Sequence, residues 1–408
     1  MQKISIFLIF LCLFLSTFKC RSDISSPETG EVRELTEVEK QISLASDKFG
    51  LNLFREINKS EKTENVFISP LSVSMALGMT LNGAGGNTFD AIKTTLQLNG
   101  LNKDEINSSY KSLMDLLVKI DPKVIFKFAN SIWYRNTFTF ENEFLETNKK
   151  YFYATVTALD FTNPNSVNII NNWVKESTNG LISKILENIN SDEIMYLVNA
   201  IYFKGTWKYQ FDKNNTKNDI FFNNNGTEVT VNMMFQENEL EYLQNDYFKA
   251  VNLPYGDGAF SMMVFLPHKN FDINSFAEEF NEKNFDLWLK DFSKQKGEFQ
   301  IPRFKIEYKV NLNDALKSLG MGIAFDAYQA DFSNMYKGPD KAYISKVEHK
   351  TFAEVNEEGT EAAAVTSVTI GVTSIGTGFH MKVDRPFIFL IRENKSGTIL
   401  FIGKIVKF

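Results

Sequence analysis

The chain predicts an α+β fold, one domain built around large and mostly antiparallel sheets. Three observations carry this. Segments with helix-type apolar spacing come first, and strand-type segments mixed with helices follow. No Pro- or Ser-rich break, long charge run or repeat period interrupts the sequence after about residue 35. The 408 residues are 43% hydrophobic, 14% aromatic and 23% charged, which suits a large core and argues against a disordered, collagen-like or disulfide-stapled chain.

At the start, Lys3 precedes a nearly unbroken apolar run over residues 4–15. That is too short for a helix spanning a bilayer, which needs about 20 residues, and the right size for a secretory signal. Residues 1–20 are expected to be a signal peptide, so the protein is read as secreted or held at the cell envelope. Cys20 stands at the junction, after Thr17-Phe18-Lys19. It has two readings: a lipidation site exposed by cleavage before it, or an incidental residue. A lipid there would be the only membrane link, because no other stretch is comparably apolar. Cys12 lies in the signal, so the mature chain holds at most one thiol and no internal disulfide. Residues 21–36 are polar and read as a flexible tether, leaving 37–408 as the domain.

Within the domain, residues 46–57 have helical spacing through Phe49, Leu53, Phe54 and Ile57. Residues 72–81 form an Ala-, Met- and Leu-rich helix begun by Ser69-Pro70, a capping residue followed by proline. Residues 166–186 read as one helix with Trp173 on its apolar face. Strands are predicted over 124–134, 194–203, 249–253, 261–266, 298–308, 382–392 and 398–406, where β-branched and aromatic residues concentrate. Asn214–Asn215 and the run 223–226 read as turns.

Catalytic motifs are missing from the sequence. It has three histidines, His268, His349 and His380, and no HExxH, CxxC, GxSxG, P-loop or GxGxxG. No metal site or cofactor is expected. Acidic residues alone would allow a carboxylate hydrolase, but nothing flags a pair. The chain is read as a non-enzyme. A net charge of −6 gives no reason to expect nucleic acid as a partner. Residues 101–124 mix Lys with Asp and Glu, so no heparin-type cofactor is expected either. Asn-x-Ser/Thr sequons occur at Asn58, Asn107, Asn214, Asn225 and Asn394.

The informative segment is 354–374, EVNEEGTEAAAVTSVTIGVTS. Glu357, Glu358 and Gly359 form a polar turn with a glycine that can absorb a dihedral change. Small residues follow, then β-branched ones without proline. At period two, one face carries Thr360, Ala362, Ala364, Thr366, Val368 and Ile370, with no charge and with small residues leading. The other carries Glu361, Ala363, Val365, Ser367 and Thr369, and can stay wet. A mid-sheet strand and an ordinary edge strand or linker both fit.

This segment and six others resemble the serpins over almost the whole mature chain. EEGTEAAA (357–364) is similar to the hinge of inhibitory members. NVFISPLSVSMALGMTLNGAGGNT (65–88), ANSIWY (129–134), INNWVKESTNGLI (170–182), LVNAIYFKGTW (197–207), FSMMVFLP (260–267) and DRPFIFLIRENKSGTILFIGKI (384–405) resemble family motifs in order. Leu181 departs where the family often has Lys. The resemblance implies about nine helices, three β-sheets and an exposed reactive-centre loop near the C-terminus. It implies a monomer that traps a target serine protease as a covalent acyl complex. The cut loop then inserts as a central strand of the large sheet.

By the same resemblance, the hinge is Glu357, Glu358, Gly359, Thr360, Glu361, Ala362, Ala363 and Ala364. Ser69, Pro70, Ser72, Asn199 and His349 match a polar cluster beneath the opening strands. Trp207 matches the aromatic where insertion begins, and Glu357 and Arg303 match an ion pair at the hinge base. His349 read alone is a satisfied core histidine. Counting from Glu357 puts the reactive bond at Thr373–Ser374, and counting back from Pro386 shifts it to Ile375. No Arg or Lys lies between Ala362 and Thr373, so elastase-like or subtilisin-like targets are expected over trypsin-like ones. A non-inhibitory carrier or chaperone of the same family is the alternative.

Overall fold

The computed structural model describes residues 34–190, 192–339, 341–360 and 378–408. Nine α-helices lie among the described residues: α1 Glu37–Ser60, α2 Pro70–Leu81, α3 Gly86–Thr95, α4 Lys103–Leu117, α5 Asn142–Phe152, α6 Ser166–Ser177, α7 Ile273–Glu278, α8 Glu282–Lys290 and α9 Asn313–Leu316. Local chemistry places their starts. Thr36 and Asn102 build reciprocal capping boxes with Glu39 and Glu105, and Ser69 caps α2 with Pro70 at its first position.

The strands in chain order are β1 Val66–Ile68, β2 Val124–Arg135, β3 Thr155–Leu159, β4 Met195–Thr206, β5 Lys217–Phe222, β6 Glu228–Gln244, β7 Phe248–Tyr255, β8 Phe260–Pro267, β9 Ser293–Pro302, β10 Phe304–Asn311, β11 Glu348–Val355, β12 Gly359–Thr360, β13 Phe379–Lys382, β14 Phe387–Glu393 and β15 Ile399–Ile405. One sheet runs β1-β15-β14-β8-β7-β6-β9-β13, with β5 on β6. The 17-residue β6 joins two parts of it, one with β5, β9 and β13 and one with β7 and the strands beyond. Counted by those parts, the described residues form three sheets. The remaining sheet runs β10-β11-β12-β4-β2-β3.

The main core lies between this six-stranded sheet, α2 and the nine-stranded sheet, with Phe49, Phe67, Phe126, Phe260 and Phe389 fully or almost fully buried. A second cluster lies under α6, where Trp133 meets Trp173 edge-on at 5.9 Å.

Three predicted elements need correction. The strand expected over 298–308 is two, β9 and β10, in different sheets. Pro302 is the last residue of the first, and Arg303 donates one more in-register backbone N–H to Asn232 O before Phe304 opens the second. The strand expected over 382–392 is β13 and β14, with Pro386 in the interval. The helix expected to reach 186 stops at Ser177, because Asn179 and Gly180 adopt left-handed φ of 52° and 87°. No described helix is long and apolar enough to cross a membrane. Two sequons are unusable in this fold. Asn58 is buried with Oδ1 2.6 Å from Lys404 Nζ, and buried Asn107 exchanges hydrogen bonds with Asn82.

Candidate functional site

The six-stranded sheet has an unusual centre. β2 pairs with β4 over eleven residue pairs, and β10 with β11 over eight. Among the described residues no ladder joins β4 to β11. Only β12 bridges them, with Gly359 opposite Thr206 and Thr360 opposite both Gly205 and Val355. Below it, among the described residues, the facing edges of β4 and β11 are unpaired and leave a slot that β12 fills at its top. A cavity of about 430 Å³ opens at the lower end, lined by Ser72, Leu77, Val198, Asn199, Val347 and His349 among others.

The turn feeding β12 is pinned on every side. Asn356 N donates to Gly359 O at 2.9 Å, and Asn356 Oδ1 accepts from Glu358 N at 3.0 Å. Trp207 donates its backbone N–H to Glu358 O (2.8 Å) and its indole N–H to Asn356 O (2.9 Å). Phe211 N donates to Glu357 O at 3.0 Å. The Glu357 carboxylate is buried and accepts from Arg303 Nη2 (2.5 Å) and Thr216 Oγ1 (2.7 Å). Burial alone would raise its pKa, but those donors hold it below the ordinary glutamate value. Glu358 pairs with Lys213. A Cβ on Gly359 would lie 2.0 Å from Gly205 O, so only glycine fits there. Thr360 is 3% exposed.

Halfway down the slot, a polar cluster ties both edges to the helix beneath. Ser69 donates its backbone N–H to His349 Nε2 (2.9 Å) and its hydroxyl to Leu400 O (2.7 Å). Ser72 Oγ donates to Asn199 Oδ1, and Asn199 Nδ2 donates to Asn130 Oδ1. Asn130 Nδ2 in turn donates to Phe152 O at 2.7 Å. His349 Nε2 accepts, so the ring is neutral with its proton on Nδ1, and burial pushes its pKa down to about 4.

The structure therefore brings Ser69, Pro70, Ser72, Asn199 and His349 together at mid-slot, and Trp207, Arg303, Glu357, Glu358, Gly359 and Thr360 together at its top. Glu361, Ala362, Ala363, Ala364, Thr373, Ser374 and Ile375 lie outside the described residues. Sequence reasoning missed Asn130, Thr216 and Tyr255. Asn130 carried a signal, an amide inside the predicted strand ANSIWY. Tyr255 carried none, because its hydroxyl partner comes from another sheet.

The family model described as Serpin (serine protease inhibitor) matches residues 44–408, and the chain belongs to that family. It is 35% identical to the human leukocyte elastase inhibitor over 377 residues, covering 90% of this chain and 99% of that protein. The native-state structure of the thermophilic serpin tengpin superposes with a TM-score of 0.84 at 34% identity, covering 92% of this chain and 96% of that one. Human thyroxine-binding globulin complexed with thyroxine superposes with a TM-score of 0.82 at 27% identity, covering 91% and 99%.

Proposed function

We propose that the chain is an exported, non-enzymatic inhibitor that traps serine proteases of elastase-like or subtilisin-like specificity as suicide substrates. The observation that carries this is the slot between β4 and β11, occupied at its top by buried Gly359 and Thr360 and by nothing else described. Two facing strand edges without a partner are a template for strand addition. The proposed reaction starts with the protease. Its serine Oγ attacks the Thr373 carbonyl carbon, and the bond to the Ser374 nitrogen breaks. That nitrogen leaves as an amine with the proton delivered by the protease, and an ester remains. The freed segment then extends β12 downward before water hydrolyses the ester.

Register supports this. β12 runs antiparallel to both neighbours, so six residues beyond Thr360 the inserting strand meets Asn199 on one side and His349 on the other. The residue arriving there is Thr366. A hydroxyl suits the polar cluster at that depth, and Ala362 and Ala364, ahead of it on the same face, present no bulk. Each inserted residue adds ladder hydrogen bonds worth about 1 kcal/mol apiece net. The fifteen residues 359–373 span about 50 Å as a strand, enough to carry the acylated protease to the far end of the slot.

Incubation with elastase and with subtilisin tests the reading. A complex stable on a denaturing gel, with a released peptide beginning at Ser374 or within a residue or two of it, is expected. A clean cut that leaves the protease active would favour a carrier or chaperone role instead. The mass of the mature N-terminus tests the proposed signal over 1–20 and reports any lipid on Cys20.

A further inference from the structure

Tyr255 ends β7 in the nine-stranded sheet, yet its phenol serves the six-stranded one. The ring is fully buried and stacks on Trp207, with centroids 4.3 Å apart and planes 12° from parallel. Its hydroxyl lies 2.6 Å from Thr360 Oγ1, and both groups are buried. Neighbouring backbone fixes the ring. Gly256 N donates to Thr206 O and Lys208 N to Pro254 O, each at 2.8 Å. A Cβ on Gly205 would lie 2.8 Å from the ring, so glycine there leaves just enough room. The phenol cannot swing aside without moving Trp207 or β4.

We propose that Tyr255 is a positioning residue for strand insertion, its hydroxyl holding Thr360 inside the sheet of the uncut molecule. The proposal rests on the trapping reading and adds a residue to it. Starting a strand is the unfavourable part of building one, because dihedrals are fixed before many ladder bonds form. With Thr360 already seated, insertion begins as extension of an existing strand, which is what a race against ester hydrolysis requires. In Tyr255→Phe, the Thr360 hydroxyl would be buried without its partner, and the hinge would favour leaving the slot for water. With Thr360→Val added, both hydroxyls are gone and an apolar pair of similar shape remains, so much of the loss should be recovered.

Two readouts on the full chain test this. Hydrogen exchange of the uncut protein should show residues 356–360 protected in the wild type. Exchange should be faster by about tenfold in Tyr255→Phe and slow again in Tyr255→Phe/Thr360→Val. Moles of inhibitor consumed per mole of elastase inactivated should rise by about fivefold in the single variant and recover in the double one. A merely structural loss would not be repaired by the second substitution. Wild-type exchange at free-peptide rates, or a double variant no better than the single one, would overturn the proposal. If the wild type traps no protease at all, the trapping reading fails separately, and the exchange data still decide whether Tyr255 holds Thr360.

Discussion

In the nine-stranded sheet, β14 is hydrogen-bonded along nearly its whole length to β8 on one side and β15 on the other, and six of its seven residues are buried. In the six-stranded sheet, among the described residues, β4 has a long partner only in β2, and its other edge meets two residues of β12. The two strands have similar apolar sequences. An exposed edge is usually guarded by charges, a proline or a bulge, yet β4 carries a single charge, Lys204, and no proline. Among the described residues one sheet is paired throughout at β14, and the other has β4 and β11 bridged by two residues of β12. On the proposed trapping reading, stability is divided between a region that is already satisfied and a region whose satisfaction is deferred until the chain is cut.

The largest effect should come from breaking the deferred region at its entrance. Thr360→Arg forces a charge into a position 3% exposed, at a cost of several kcal/mol. On a denaturing gel the covalent complex should disappear while cleavage continues. Next comes pH. The unfolded-state histidine takes up its proton near 6.5, and folded His349 does so only near 4. Its contribution is present above pH 6.5 and is lost as pH falls toward 4, by up to about 3 kcal/mol. Asp47, pushed up to about 7 by burial, has the opposite slope. The difference in unfolding free energy between wild type and His349→Gln across pH 7 to 4 therefore isolates the histidine.

A third test separates the two sheets. A Cβ at Gly403 in β15 would lie 2.6 Å from the Phe389 ring, and one at Gly359 would lie 2.0 Å from Gly205 O. Either alanine should destabilise the intact protein by about 1–3 kcal/mol in denaturant unfolding. Only Gly359→Ala should also reduce complex yield. The smallest effects belong to the ion pairs below the hinge. Arg303 is 43% exposed but faces a buried carboxylate, so Arg303→Ala should cost about 1–2 kcal/mol. Lys213, at 63% exposed, should be worth about 0.5 kcal/mol or less.

Much of this was legible in the sequence because local chemistry set it. Ser69-Pro70 announces the start of α2, and Glu357-Glu358-Gly359 announces the polar turn that leads into β12. What the sequence hid is long-range. Pro302 inside the run 298–308 is a signal of a break, but both flanks are good strand formers and nothing local shows that they enter different sheets. The contact of Tyr255 with Thr360 joins positions 105 residues apart through a hydroxyl that looks like any core tyrosine. His349 read correctly as a satisfied core histidine, but only the fold shows that its partner is the Ser69 backbone N–H at the edge of an open slot.

The central claim is that the uncut chain stores stability that cutting releases. Thermal unfolding of the intact protein and of the same protein nicked in residues 361–377 measures it directly. The account predicts a midpoint higher by at least about 10 °C after nicking, as the slot fills and the ladder bonds of β4 and β11 are made. Coincident midpoints would contradict it.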